Sequence, residues 1–146
     1  MKRTIGRLLA LVVAVSCCLG VVGSASASTK ASYYLTAYNL SLAAMSGGNI
    51  EISLNVVANR TVNEVGADYI LLEESSDGGR TWSVAAEYER ERWMTALNRA
   101  TYTGGTVYPG TVGYRYRATA VVIAYDSVSA QDTRTIGPCD WVTATN

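Results

Sequence analysis

Ser75-Ser76-Asp77-Gly78-Gly79-Arg80-Thr81-Trp82 is a turn set between two runs of β-forming residues. Asp77 supplies a short acceptor side chain, and Gly78 and Gly79 take positive φ without a Cβ penalty. That is the chemistry a tight turn between antiparallel strands requires. Tyr69-Ile70-Leu71-Leu72 precedes the turn and Thr81-Trp82-Ser83-Val84 follows it, both rich in aromatic and branched residues that suit a pleated surface. The stretch predicts a β-hairpin over residues 67–88, and the flanking segments are read as its neighbours in a sheet.

Ser75, Asp77, Gly79, Thr81 and Trp82 also match, position for position, the pattern S-x-D-x-G-x-T-W. This resembles the Asp-box turn of sialidase propellers and of many unrelated secreted β-proteins. The resemblance implies a structural role: Ser and Asp side chains bonding the loop backbone, with the Trp packed beneath. A sialidase repeats the box around a much longer chain, and here it occurs once, so the likeness implies a turn and not an enzyme.

Upstream, Ile50, Ile52, Leu54, Val56 and Ala58 alternate with Glu51, Ser53, Asn55, Val57 and Asn59, the period of a half-buried strand. Residues 32–42 read as an edge strand, and Ser46-Gly47-Gly48-Asn49 as a break. Residues 59–66 read as a polar connection pinned by Val62 and Val65. Downstream, Glu87 to Arg92 alternates in sign as a solvated face would, and Trp93 to Leu97 reads as a short helical turn or loop. Residues 101–107 and 132–136 read as short strands. Tyr114 to Tyr125 reads as a long one, with Tyr114, Tyr116, Ala118, Ala120, Val122 and Ala124 on its core face. Trp141-Val142 is expected to cover the core from the tail.

About seven strands with turn signals between them and no long helix predict an all-β chain. The expected fold is an antiparallel β-sandwich of immunoglobulin or fibronectin type III style. Gly113-Tyr114-Arg115-Tyr116-Arg117, ahead of an alternating strand, is similar to the region where such domains place a tyrosine corner, although the strand lacks the immunoglobulin Cys. A longer resemblance runs over roughly residues 45–137. Asn49 to Ile52, Val65-Gly66-Ala67, Ser75 to Trp82, Tyr114 to Ala118 and Asp132 to Thr135 occur in this order in a group of small secreted proteins of Gram-positive gut bacteria with no assigned activity. It implies export and a β-fold, and carries over no site residue.

Met1-Lys2-Arg3 is a basic start, Leu8 to Val15 an apolar run and Ala25-Ser26-Ala27 a small-x-small cleavage pattern, together a secretory signal over residues 1–27. Residues 28–146 are then one secreted domain, released to the outside with no second apolar span to insert in a membrane. Lipid anchoring through Cys17 or Cys18 is the alternative. Losing Lys2, Arg3 and Arg7 turns the balance of 12 basic and 12 acidic residues negative, which gives the chain no reason to seek nucleic acid. Cys139 becomes the only remaining thiol, either a small buried side chain or a group that pairs between molecules.

The chain has no His, which removes every Ser-His-Asp, Cys-His and His-metal arrangement. Glu73, Glu74 and Asp77 are the carboxylates a glycosidase or calcium-assisted hydrolase would draw on, but neighbours on a strand face opposite ways and Asp77 belongs to the turn. Asp77, Asp126 and Asp132 lie near turns without the dense spacing of a calcium loop, so no metal and no cofactor is expected. With ten Tyr, three Trp and no Phe, the aromatic rings are amphipathic. Tyr88, Trp93, Tyr102 and Tyr108 fall in or beside connections, where exposed rings would stack on an extracellular glycan or contact a surface protein. The expectation is a noncatalytic binding domain. The alternatives are the carboxylate hydrolase and an assembly module pairing through Cys139 or an edge strand.

Overall fold

The strand whose alternation begins at Ile50 does not stop at Ala58. In the computed structural model, which describes residues 33–146, it continues through a bend as one 27-residue strand, Asn49–Ser75. Among the described residues seven strands are formed: β1 (Leu35–Ala44), β2 (Asn49–Ser75), β3 (Ser83–Glu89), β4 (Thr95–Pro109), β5 (Arg115–Ser127), β6 (Ala130–Ile136) and β7 (Val142–Thr143), with one 3-10 turn at Ser46–Gly48. All pairings are antiparallel and belong to one curled sheet of order β1-β2-β5-β6; β3 and β4 also pair with β2, and β7 with β5. The described residues are therefore all-β, as their turn signals and alternation predict.

The count of about seven strands holds, with two segments read apart merged in β2 and the short β7 added in the tail. The predicted connection at residues 59–66 is the bend of β2, and it joins two segments read as separate strands. Before the bend, β2 lies between β1 (Leu54 opposite Leu40) and the second half of β4 (Leu54 opposite Gly104). After it, β2 lies between β5 (Leu72 opposite Ala118) and β3 (Leu72 opposite Ala86), with the start of β4 opposite Glu64 to Gly66. Register breaks between Val57 and Val62 and between Ala67 and Tyr69 mark the corner. An extra residue at such a break bends a strand and flips the parity of everything beyond it. The second break shows this directly, since buried Val65 and Ala67 give way to Ile70 and Leu72; the earlier change of parity, from Ile50, Ile52, Leu54, Val56, Ala58 and Val62 to Val65, falls after the first break, where the pairing with β4 is already in step.

Gly66 occupies the corner because nothing else fits. Its φ is +151°, and a Cβ there would lie 2.1 Å from the Met94 carbonyl oxygen. Trp93 to Leu97, predicted as a helical turn or loop, is a turn that leads into β4 at Thr95, and β4 then runs through the segment read as a short strand at 101–107.

The core collects the inward faces of both halves of β2 with Tyr116, Ala118, Ala120, Val122 and Ala124 of β5, the face the alternation picks out, apart from the half-buried Tyr114. Each large side chain removed from water there contributes about 1.5–3 kcal/mol. The first half closes onto the second at both ends: Asp132 Oδ2 accepts the amides of Tyr34 and Leu35 at 3.1 Å each, and the Gly48 amide donates to the Thr145 carbonyl at 2.7 Å. In the tail Val142 packs against the core as expected and Ala144 is buried, whereas Trp141 is 50% exposed and does not cover the core. The secretory signal and Cys17 and Cys18 lie outside the described residues.

Candidate functional site

The turn between β2 and β3 is held by its own side chains. Buried Ser75 donates its hydroxyl to Asp77 Oδ1 at 2.7 Å and accepts the Gly79 amide at 2.8 Å. Asp77 Oδ1 accepts the amides of Arg80 and Thr81, both at 2.9 Å, and Oδ2 accepts the Thr81 hydroxyl at 2.6 Å. The bonds from the Thr81 hydroxyl and amide, then from Ser75 and Arg80, hold the Asp77 carboxyl well below the usual carboxylate range. Gly78 and Gly79 take φ of +79° and +91°, which the turn needs and side chains resist. Trp82 closes the loop by donating its indole N–H to the Gly79 carbonyl at 3.2 Å.

Two arginines on the outward face of β5 meet this turn. Arg117, opposite Glu73 in register, donates to both Glu73 carboxylate oxygens at 2.8 and 3.2 Å and lies 4.3 Å above the Trp82 ring. Arg115, opposite Ser75, donates to the Gly78 carbonyl and lies 3.8 Å over the ring of Trp141. Trp141 arrives there because Val142 and Thr143 pair with Tyr116 and Arg115. The result is a surface of two indole rings and two guanidinium groups at one end of the sheet, with the Glu73 carboxylate forked onto Arg117 and Asp77 held in the turn beside them. Planar cations over indole faces are attracted by the ring quadrupole, and the bidentate Arg–carboxylate fork fixes their plane.

The aromatic residues singled out in the sequence sit elsewhere. Tyr88 is in β3, Tyr102 and Tyr108 are in β4, and only Trp93 is in a connection. Tyr102 is buried, and its hydroxyl donates to the Trp93 carbonyl; the polar tip is satisfied, so the ring can leave water. Tyr102 is therefore a core side chain and not an exposed loop ring. Tyr88 and Trp93 meet edge to face at 5.5 Å between centroids, and Tyr108 lies 5.9 Å from Tyr116. Burial pushes the hydroxyls of Tyr88 and Tyr102 above the usual tyrosine value. The structure brings Tyr88, Trp93 and Tyr102 together as half-buried or buried packing along the β3–β4 flank.

Glu73 is engaged by Arg117, Glu74 accepts the hydroxyl of buried Tyr116 at 3.1 Å, and Asp77 serves the turn. Asp126 pairs with Arg60 at 2.5 Å and Asp132 takes the β1 amides, so the three aspartates considered for calcium have separate partners. Cys139 is half-buried, its thiol pushed up by burial, and no group of three metal-ligating side chains occurs among the described residues.

Arg115, Arg117 and Trp141 are the residues that reading the sequence for exposed rings missed. The alternation Tyr114-Arg115-Tyr116-Arg117 places both guanidiniums on one face, a signal that was present. Trp141 carried none, because only the tail's pairing with β5 puts it beside them. No protein-family model, no curated protein and no solved structure matches the chain.

Proposed function

We propose that this is an exported, noncatalytic β-sandwich domain that binds a glycan outside the cell through the Arg115–Trp141 end of its sheet. The observation that carries the reading is the Trp141 ring, half open to solvent with the Arg115 guanidinium fixed over it. An indole held this way by one face leaves the opposite face as the apolar platform for a sugar ring, and the guanidinium edges offer donors for its hydroxyl or acid groups. The noncatalytic part is supported by Glu73, Glu74 and Asp77 each holding a structural partner and by the lack of any His. Export is supported by the leader pattern of residues 1–27.

Two features support the sandwich. β2 and β4 cross a corner between a half containing β1 and a half containing β3, β5 and β6, and the two halves share one core. The Tyr116 hydroxyl accepts the amide of Thr111, five residues upstream, at 2.8 Å, the bond a tyrosine corner makes.

The test is binding of the exported chain to glycan and surface-protein arrays beside its Trp141→Ala and Arg115→Ala variants. Glycan binding that both variants lose, with unchanged melting, supports the proposal. Silence on the glycan array, or binding that both variants keep, overturns it.

A further inference from the structure

We infer that the glycan held at the Arg115–Trp141 end is an acidic one, a polyuronate whose carboxylate forks onto Arg115 while a neighbouring sugar of the same chain stacks on Trp141. The inference rests on the glycan-binding reading above and names the class of sugar that the site takes.

The charges at this end of the sheet are unevenly answered. Glu73 is forked onto Arg117, and Asp77 is filled by the hydroxyls of Ser75 and Thr81 and the amides of Arg80 and Thr81. Arg115 has no such partner. Among the described residues its guanidinium makes no ion pair, and the acceptor it does reach is the neutral Gly78 carbonyl. A guanidinium carries several N–H donors in a fixed fork, so part of the Arg115 fork is open and its charge has no carboxylate opposite. Arg80, exposed in the same turn, likewise makes no ion pair among the described residues. Asp140, next to Trp141 in the chain, lines a groove beside β1 with Asn39 and Val142, and neither Trp141 nor Arg115 lines that groove.

The head group of Arg115 is also preset. Its central carbon lies 3.8 Å over the Trp141 ring, and the turn backbone passes close by, since a Cβ on Gly79 would come within 3.4 Å of Arg115 Nη1. A half-buried arginine packed over an indole and tied to a carbonyl has lost much of its rotamer freedom before a ligand arrives, so docking costs it little more. The planar fork matches the two oxygens of a carboxylate, and such charge-assisted bonds are roughly twice as strong as those to a neutral hydroxyl.

The stacking makes the ligand a chain. The guanidinium takes one face of the Trp141 indole, so a sugar ring stacks on the other, about 4 Å beyond it. One sugar cannot lie flat on that face and also reach the guanidinium across the thickness of the ring. The acid therefore belongs to the next sugar, which steps past the rim of the indole. With the leader of residues 1–27 removed, acidic residues outnumber basic ones, so overall charge does not draw a polyanion in and affinity for one reports a local site.

The test is titration calorimetry of the exported chain, in the presence of EDTA, with polygalacturonate, with the same polymer after its carboxyl groups are reduced to alcohols, and with dextran sulfate. Arg115→Gln, Trp141→Ala and Arg92→Gln accompany the parent, Arg92 being an exposed arginine beyond the far end of β3. The expected result is that the parent binds polygalacturonate and that carboxyl reduction or Arg115→Gln each weakens binding about tenfold or more. Trp141→Ala should lose both sugar-acid and reduced polymers, and Arg92→Gln should match the parent, with the same melting curve throughout. Equal binding of the acidic and reduced polymers, both lost in Trp141→Ala, would overturn the acid class and leave the glycan site standing. So would a chain that binds neutral sugars on an array and ignores polygalacturonate. Dextran sulfate bound as tightly, with the same dependence on Arg115, would overturn the carboxylate in favour of a sulfate. The comparison of the two galacturonate-derived polymers on the parent decides the matter even where a variant fails to fold.

Discussion

Oδ2 of Asp77 accepts the Thr81 hydroxyl at 2.6 Å while Oδ1 accepts the Thr81 amide at 2.9 Å, so one carboxylate holds both polar groups of one residue four positions on. The acid form of Asp77 cannot keep all these acceptor sites, and its folded pKa is depressed for that reason. A depressed carboxylate contributes stability that is complete above its unfolded value of about 3.9 and is lost as pH falls below that through the folded value. Thermal melts from neutral to strongly acid pH should show the parent losing stability below about pH 4 more steeply than Asp77→Asn. At neutral pH the variant should melt lower than the parent. Equal slopes for the two chains would remove Asp77 as the acid-sensitive part of the turn.

Arg117 is clamped between the Glu73 carboxylate and the Trp82 ring. Arg117→Ala should cost about 1–2 kcal/mol in urea unfolding, the sum of a partly shielded bidentate pair and a cation–π contact. Arg117→Lys should recover little of it, because an ammonium neither forks onto a carboxylate nor stacks flat on an indole. Full recovery by Lys would mean that charge alone matters at this position.

Much of this architecture was legible in the residues. Ile50 to Ala58 and Tyr116 to Ala124 declare their buried faces by simple alternation, and Asp77-Gly78-Gly79 declares the turn. The corner of β2 was not legible, because the parity of burial changes between Val62 and Val65 and again between Ala67 and Ile70. A bulge between Ala67 and Tyr69 and the irregular stretch from Val57 to Val65 break the periodic signal there, and a run of polar residues takes its place. The aromatic residues misled for a different reason. Tyr102 has the composition of a wet ring, yet the Trp93 carbonyl, nine residues away, satisfies its hydroxyl in the interior. Conversely, Trp141 looks like a core plug until the tail's register on β5 places it over Arg115.

Gly66 and Gly113 separate close approach from turn chemistry. A methyl at Gly66 would press on the Met94 carbonyl, whereas at Gly113 it would meet nothing within 4 Å, although φ is +89°. Gly66→Ala should destabilise by about 3 kcal/mol or more and Gly113→Ala by only about 1. Denaturant midpoints of the two variants check the order, and a reversed order would put the corner of β2 elsewhere.

The continuity of β2 through its bend is tested most directly by residue-resolved amide hydrogen exchange of the folded chain. Glu64, Val65 and Gly66 lie between β4 on one side and β5 on the other, and amides in such a ladder open only with the unfolding of the sheet. The expected result is slow exchange across 64–66, comparable with Leu54 and Leu71. Rapid, unprotected exchange at Glu64, Val65 and Gly66 between two protected segments would contradict it, leaving a flexible connection where the corner of a single strand should be.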